Sequence, residues 1–342
     1  MGRVLVVGGG IAGMQASLDL AEMGHRVYLV EKEGELGGNL RNLFKIFPTN
    51  EKSEKTLNNF TERIKMHKEI SVLTDSNLGK IKEKNHTYEV AVDFKGERDT
   101  FNVDAIVLAT GFVPYDPTEK TEYGYNKYRD VVTSIDIERM MKEGKFIRPS
   151  NSKRPKSVIF VQCVGFRDAK AYRYCSSFCC TVSVKNAILI KEEYPEIEVM
   201  VMYMDIRTPF IYENLYSHAR NIGVKFIRTR PAEIFEMNNK LFLNIEDTLT
   251  CETRRIETDL VVLSVGGIPP QETTELSQMM KVSLDDTGFF SIHDRPSETD
   301  SNRIFVIGAA CGPKDIDYSL SQASAASSQI NSLLRKIHVA GK

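Results

Sequence analysis

The 342-residue sequence lacks an excess of either charge, with 45 basic and 46 acidic side chains. A nucleic-acid-binding surface would appear as a basic excess, so the balance argues against this class of function. No apolar run reaches the roughly 18 residues that a membrane-spanning helix needs. The amino-terminal MGRVLVVGGG contains no recognisable secretion signal. We therefore expect a cytoplasmic protein with no membrane span and no nucleic-acid partner. The length of 342 residues predicts two domains of ordinary size.

The first thirty residues have the pattern strand, glycine-rich turn, helix and strand. RVLVV is an apolar run typical of a buried parallel strand, and Gly8-x-Gly10-x-x-Gly13 follows it at once. In such a turn the glycines permit a tight bend, close approach of a pyrophosphate and close helix–strand packing. A carboxylate at Glu31, where the second strand ends, can bond ribose hydroxyls. The pattern predicts a dinucleotide site, against the alternative of a structural turn. The expected contacts are Gly8, Gly10, Ile11, Ala12, Gly13, Glu31 and Lys32.

Three further segments carry small residues where a cofactor could lie close to the backbone. ELGGNLR contains a second glycine pair soon after Glu31, although an ordinary loop is the alternative. DAIVLATGFVPY and NRIFVIGAA are apolar strands that end in small residues, and TDLVVLSVGGIPP repeats this form. The repetition predicts two domains built alike. The additional contacts expected for the cofactor are Gly37, Gly38, Asn39, Ala109, Thr110, Gly111, Gly308, Ala309 and Ala310.

This combination of motifs resembles the flavoproteins with two dinucleotide-binding domains, such as thioredoxin and glutathione reductases. The resemblance implies an α/β fold with two Rossmann-like, three-layer domains and FAD in the first of them. It also implies that the FAD domain is discontinuous, with residues 1–115 and 270–342 flanking an inserted domain at 125–268. The turn at Gly308 would then lie near the flavin.

The inserted domain lacks the second glycine fingerprint that a nicotinamide-dependent relative needs. Its first strand, SVIFVQCVG, ends in Cys163 and a single glycine. A second strand, EVMVMYMD, is present, so the scaffold is kept while the nucleotide-binding turn is lost. The sequence therefore predicts that this domain binds no nicotinamide nucleotide.

A cysteine cluster follows that strand, in the segment YCSSFCCTVSVK. We expect Cys175 and Cys179 to share one face of a helix because they are four residues apart. Cys180 would point elsewhere around the helix axis. The residues leave three options open: a four-iron cluster bound from separate directions together with Cys163, a redox disulfide, or buried free thiols. A single zinc ion is disfavoured because no histidine lies nearby.

The segments VQCVGFRD, YCSSFCC, YMDIRTP and GPKDI are similar to the A-type subunit of heterodisulfide reductase and its bacterial relatives, over nearly the whole chain. This resemblance implies a [4Fe-4S] cluster beside FAD, with Cys163, Cys175, Cys179 and Cys180 as its ligands. It also implies a lysine near the flavin N5 that favours the anionic reduced flavin. Lys185 matches that lysine, and a solvated helix lysine is the alternative.

Longer members of that family carry extra iron–sulfur domains, whereas this chain has no C-x2-C-x2-C-x3-C run. Its short form resembles the A-type subunit of the heterodisulfide-reductase-like complex of sulfur-oxidising prokaryotes. The resemblance implies an electron-transfer subunit of an oxidoreductase, with B- and C-type partner subunits, a homodimer and little activity alone. The alternatives are the A-type subunit of the quinone-interacting oxidoreductase of sulfate reducers and a stand-alone NAD(P)H-dependent disulfide reductase. The latter needs a second glycine fingerprint and a dithiol pair, and neither is visible.

Overall fold

A computed structural model describes residues 1–84, 87–94, 96–293 and 297–340, without the side chains of 337–340. The strands are β1 (Arg3–Val7), β2 (Arg26–Val30), β3 (Lys45–Ile46), β4 (Glu51–Lys52), β5 (Ile70–Leu73), β6 (Ser76–Lys84), β7 (Thr87–Phe94), β8 (Glu97–Val103), β9 (Ala105–Leu108), β10 (Val113–Pro114), β11 (Val131–Thr133), β12 (Ser157–Val164), β13 (Glu198–Tyr203), β14 (Lys225–Arg228), β15 (Glu233–Met237), β16 (Lys240–Asp247), β17 (Glu252–Thr258), β18 (Leu260–Val265), β19 (Gly267–Ile268) and β20 (Ile304–Val306). The helices are α1 (Ile11–Glu22), α2 (Ser53–Met66), α3 (Ser134–Lys142), α4 (Cys179–Glu193), α5 (Glu213–Asn221), α6 (Thr273–Met280) and α7 (Ile316–Ala340). Among the described helices, none combines the length and the apolar character that crossing a membrane requires.

The chain forms two compact units. Unit 1 comprises Met1–Arg41, Ser53–Val113 and Ile268–Lys342, and unit 2 comprises Asn42–Lys52 and Pro114–Gly267.

Unit 1 is built on a parallel sheet in the order β20-β9-β1-β2-β5. Helices α1, α2 and α7 share one core with one face of the sheet, where Met14 and Ile330 are fully buried. The antiparallel sheet β6-β7-β8 supplies Val90 and Val92 to a second core on the other face. Because both faces are covered, the central strands read as continuous apolar runs. Unit 1 is therefore a three-layer, Rossmann-like domain, as the sequence predicted.

Unit 2 repeats this plan with a parallel sheet in the order β11-β18-β12-β13-β14. Helices α3, α4 and α5 pack in one core with the sheet residues Phe160 and Val262. The antiparallel sheet β15-β16-β17 belongs to the same unit, and alternate residues of β16 are buried. The expected α/β fold with two Rossmann-like domains is thus confirmed.

The segment Asn42–Lys52 is placed differently from the sequence-based boundaries, which assigned all of residues 1–115 to the first domain. In the structure it belongs to unit 2, where β3 and β4 form a short antiparallel pair. The backbone N–H of Phe44 donates to the Glu138 carboxylate at 2.9 Å, and the ring of Phe47 packs edge-on against Tyr212 at 5.1 Å. These contacts are with residues far along the chain, so the local sequence could not indicate them.

Candidate functional site

The glycine fingerprint of unit 1 has the close packing that its spacing predicted. Gly8 has a φ of +107°, and a Cβ there would lie 2.4 Å from the carbonyl oxygen of Ala109. A Cβ at Gly13 would lie 1.9 Å from the carbonyl oxygen of Gly8, so only glycine fits at either position. By contrast, a Cβ at Gly10 would meet no atom of the described residues within 4 Å. The second glycine therefore borders open space, which is where a pyrophosphate would approach.

Helix α1 begins at this open space with its first N–H groups uncapped by a side chain. Its N-cap is Gly10, and the first turn contains no acidic residue. The neighbouring carboxylate of Glu31 is buried and accepts hydrogen bonds from the N–H of Gly9 at 2.6 Å and of Glu33 at 2.9 Å. A carboxylate has about four acceptor positions, so Glu31 keeps capacity for ribose hydroxyls. The helix terminus, with its partial positive charge, suits a phosphate anion.

The second glycine pair lies directly against the first turn. The N–H of Gly37 donates to the carbonyl of Gly9 at 2.8 Å, and a Cβ at Gly38 would lie 3.2 Å from the Cα of Gly10. This loop is therefore part of the same turn assembly, and contact of Gly37 and Gly38 with a cofactor stays a prediction, with an ordinary loop as the alternative. Lys32, also predicted as a cofactor contact, has a partner within the protein, because its ammonium pairs with the Glu272 carboxylate.

The ATG segment lies beside these glycines and carries an unsatisfied hydroxyl. The Oγ1 of Thr110 is buried without a hydrogen-bond partner in the described part of the chain, while a Cβ at Gly111 would meet nothing within 4 Å. The side chain of Asn39 donates to the carbonyl of Phe112 at 2.8 Å and so links the glycine-pair loop to this segment. A buried orphan hydroxyl next to open space fits a polar ligand at this edge of the sheet.

The third predicted segment forms a short 3₁₀ turn, Gly308–Cys311, after β20. Gly308 has a φ of +62°, and a Cβ there would lie 2.8 Å from the Cβ of Ala12. Its N–H donates to the side-chain oxygen of Gln322 at 3.0 Å, and Ala309 and Ala310 are buried. The turn therefore packs against the start of α1, so unit 1 brings the three groups of predicted FAD contacts together. The open space at Gly10 and the orphan hydroxyl at Thr110 fit such a cofactor.

In unit 2, strand β12 ends in a bulge that carries Cys163. The register of β12 with β18 shifts between Val161 and Val164, and Cys163 has a φ of +58°. Left-handed backbone is costly for a residue with a Cβ, and bulges near functional sites re-aim side chains. Cys163 is buried at the carboxyl end of the central parallel strand, where a nucleotide turn would otherwise begin.

Cys175 and Cys179 do not share a helix face, so this prediction was wrong. Helix α4 begins at Cys179, and Cys175 lies in the preceding loop. The loop turns at Ser177, which has a φ of +61° and donates its N–H to the sulfur of Cys175 at 3.4 Å. The left-handed residue prevents the helix from starting earlier. Cys175 is thus carried by the loop, whereas Cys179 and Cys180 are carried by the first turn of α4.

The loop that carries Cys175 is held by hydrogen bonds and by an aromatic cluster. The hydroxyl of Tyr174 donates to the carbonyl of Gly267 at 3.0 Å, and the N–H of Gly267 donates to the hydroxyl of Ser176 at 2.7 Å. Ring centroids within the cluster are 5.3–5.8 Å apart. Its members are Tyr115, Phe166, Tyr172 and Tyr174. This packing fixes the position of Cys175 in the loop.

Three of the four thiols, Cys163, Cys179 and Cys180, have shifted pKa values, and other cysteines of the set are among the causes. Burial raises the pKa of Cys163 to about 11, with a further contribution from Cys180. A hydrogen bond to Cys180 and burial raise the pKa of Cys179, and the same hydrogen bond lowers the pKa of Cys180. Cys175 contributes to the raised pKa of both Cys163 and Cys179. All four cysteines are free.

The donor set suits a cluster better than a single ion. Among the described residues, no group of three or more His, Cys, Asp or Glu side chains converges on one metal position. A [4Fe-4S] cluster distributes four thiolates over different irons, so its ligands need not converge on a point. The Arg167 guanidinium lies beside Cys163 and also donates to the Asp205 carboxylate at 2.6 Å. Three buried thiols, a fourth that is partly exposed and an adjacent cation fit an anionic cluster.

Lys185 is buried, so its interpretation as a solvated helix lysine is wrong. Its ammonium pairs with the Glu138 carboxylate and donates to the carbonyl of Lys45 at 2.7 Å. Burial lowers the pKa of Lys185, and the Glu138 carboxylate opposes this shift. The sequence analysis missed Glu138, because no local motif marks it. It also missed Gln162, although a polar residue in an otherwise apolar strand was a visible sign.

Comparisons with known proteins agree with this geometry. The family described as "Pyridine nucleotide-disulphide oxidoreductase" matches residues 2–146. The crystal structure of Lactococcus lactis thioredoxin reductase is similar with a TM-score of 0.67 at 18% identity, covering 98% of this chain and 100% of that one. The fold is therefore that of the thioredoxin-reductase class of flavoproteins.

Curated relatives narrow this class to one family. The chain is 35% identical over 427 aligned positions to the second A-type iron–sulfur subunit of CoB–CoM heterodisulfide reductase of Methanopyrus kandleri, covering 99% of this chain and 65% of the relative. It is 34% identical over 416 positions to the A-type iron–sulfur subunit of CoB–CoM heterodisulfide reductase of Methanocaldococcus jannaschii, covering 96% and 63%. Over almost its whole length the chain is thus similar to A-type subunits of heterodisulfide reductase, which are oxidoreductase subunits. It spans just under two thirds of the length of these relatives.

Proposed function

We propose that this chain is an electron-transfer subunit in which FAD bound by unit 1 exchanges electrons with a [4Fe-4S] cluster bound by unit 2. The single observation that carries the proposal is the clustering of four thiols at the carboxyl edge of the unit 2 sheet. When bound, FAD would supply one- and two-electron chemistry and the cluster one-electron chemistry. The chain's own residues bind and orient these groups and set their surroundings.

The proposed FAD contacts are made by backbone N–H groups and by polar side chains. The uncapped start of α1 would bind the diphosphate, and Glu31 would accept bonds from the ribose hydroxyls. Thr110 would bond a polar atom of the cofactor, since its buried hydroxyl has no partner within the chain as described. A role of Lys185 in setting the flavin potential stays a prediction. Its pairing with Glu138 supports a fixed position for the ammonium.

The competing function, a stand-alone NAD(P)H-dependent disulfide reductase, finds less support in unit 2. The single glycine after β12 is Gly165, where a Cβ would lie 2.3 Å from a ring carbon of Tyr115. The aromatic ring thus occupies the side from which a pyrophosphate would have to approach. The strand itself ends in the bulge at Cys163, not in a glycine-rich turn.

The setting that we propose is a heterodisulfide-reductase-like complex of sulfur-compound oxidation, with B- and C-type partner subunits and a homodimer of this chain. The relatives' names as subunits support partner chains. The relatives carry extra residues within the aligned region, since 427 positions correspond to this chain's 342 residues. This supports a short form of the subunit. Six free cysteines support a reducing compartment, the cytoplasm. The corresponding subunit of the quinone-interacting oxidoreductase remains the alternative.

Metal and flavin analysis after anaerobic purification tests the proposal. We expect about four irons per chain, with EPR and visible spectra of a four-iron cluster, together with about one FAD. Cys163→Ser and Cys179→Ser should lose iron and keep FAD, whereas Glu31→Ala should lose FAD and keep iron. Cys251→Ser is the matched control because Cys251 is exposed, and it should keep both. Wild-type protein with full flavin and no iron would overturn the proposal.

A further inference from the structure

Gln162 is a buried amide without a partner. Its side chain is almost completely inaccessible. In the part of the chain that the structure describes, neither its amide nitrogen nor its amide oxygen has a hydrogen-bond partner. Buried polar groups are nearly always hydrogen-bonded, so an amide with both atoms unpaired indicates a polar partner from outside the chain.

The direction of the Gln162 side chain follows from the sheet. Alternate residues of a strand face the same side, and Phe160, two residues earlier, belongs to the core that also contains Val184 of α4. The bulge leaves Gln162 and Cys163 together opposite Ser264 of β18. The hydroxyl of Ser264 bonds that of Ser183 on α4 at 2.7 Å. Gln162 therefore faces the first turns of α4.

The first turns of α4 carry the sulfur atoms. Cys179 lies one helical turn before Ser183 on the same face of α4. Cys163 directly follows Gln162 in the bulge, and both of these cysteines are buried. The unpaired amide is thus placed among the thiols that the proposed function assigns to the cluster.

We propose that the Gln162 amide donates an N–H hydrogen bond to a sulfur atom of the cluster site and thereby raises the cluster's reduction potential. The inference rests on the proposed function and extends it. Hydrogen bonds to cluster sulfurs are among the factors that set the potential. A donor stabilises the more negative reduced state more strongly than the oxidised state, so its removal makes reduction less favourable.

The test compares Gln162→Met with the wild-type chain. Methionine has a similar length and volume but no N–H donor. We expect unchanged iron and flavin contents and a one-electron reduction of the cluster that is about tenfold less favourable, which corresponds to about 59 mV. EPR-monitored redox titration measures this shift. Ser183→Ala is the matched control, because its hydroxyl lies on the same face and already has Ser264 as a partner. Its potential should stay near that of the wild type.

The outcomes separate this inference from the function on which it rests. Wild-type protein without iron refutes both. A loaded Gln162→Met variant that titrates together with Ser183→Ala refutes the inference alone. Loss of iron in Gln162→Met but not in Ser183→Ala would show that the amide serves assembly of the site and would also refute tuning.

Discussion

The buried pair of Lys185 and Glu138 allows a quantitative prediction about the stability of unit 2. Their side chains are 6% and 1% exposed. The pair also satisfies two backbone groups of the Asn42–Lys52 segment, the carbonyl of Lys45 and the N–H of Phe44. Replacing Glu138 by leucine would leave the ammonium without its counter-charge and the N–H of Phe44 without its acceptor.

The magnitude follows from the cost of leaving a buried charge without its partner. Removing one member of such a pair destabilises a protein by about 3–5 kcal/mol, so we expect this loss for both Glu138→Leu and Lys185→Met. In the double variant no charge remains. Only the two backbone groups stay unpaired, at about 1–3 kcal/mol each. The double variant should therefore be about as stable as either single variant. If the two side chains did not interact, the stability losses of the single variants would instead add.

Urea unfolding followed by far-ultraviolet circular dichroism measures these losses, since the chain contains no tryptophan for fluorescence. The control is Glu198→Leu, which breaks an exposed pair with Lys225 in the same unit and should cost less than about 1 kcal/mol. Equal losses for Glu138→Leu and Glu198→Leu, or a double variant that loses the sum of the single variants, would refute the reasoning.

Three further predictions concern charge and redox behaviour. Hydrogen bonds from Lys120 and Arg230 hold the pKa of Asp168 well below its usual value, so the unfolded chain takes up this proton first and stability falls as the pH drops below about 4. Asp168→Asn should flatten that fall in urea titrations between about pH 7 and pH 3, and an unchanged slope would contradict the assignment. Saturating NADPH should not bleach the flavin rapidly in anaerobic stopped-flow experiments, and rapid direct reduction of the flavin would contradict the prediction. Lys185→Ala should shift the flavin potentials with unchanged iron content, and potentials equal to those of a Lys191→Ala control would argue against flavin tuning.

Local patterns predicted the parts of the fold that depend on neighbouring residues. The strand before Gly8, helix α1 and the strand before Glu31 lie where the sequence placed them. Periodicity and glycine spacing are short-range properties, and the packing of Gly8 and Gly13 against adjacent backbone follows from them. For the cysteine segments, the residues left a shared cluster, a redox disulfide and free thiols open, and only the family resemblance implied that Cys163, Cys175, Cys179 and Cys180 act together.

Long-range contacts and backbone exceptions were not predictable in this way. Nothing near Phe44 indicates that its N–H needs the carboxylate of Glu138, almost a hundred residues later. The four-residue spacing of Cys175 and Cys179 suggested a common helix face, but the left-handed residue Ser177 interrupts the helix. Unlike glycine, a serine in the sequence does not indicate a left-handed backbone conformation. The burial of Lys185 likewise depends on a partner from another helix.

The assignment of Asn42–Lys52 to unit 2 has a consequence for the modularity of this protein. Because the backbone changes unit at Arg41, at Lys52, at Val113 and at Gly267, no single pair of cuts excises either unit intact. A contiguous fragment such as 114–267 would lack the strands β3 and β4 and the backbone partners of the buried ion pair. Recombination between genes could therefore not exchange unit 2 as one cassette, and dissection of the protein would require a permuted or spliced chain.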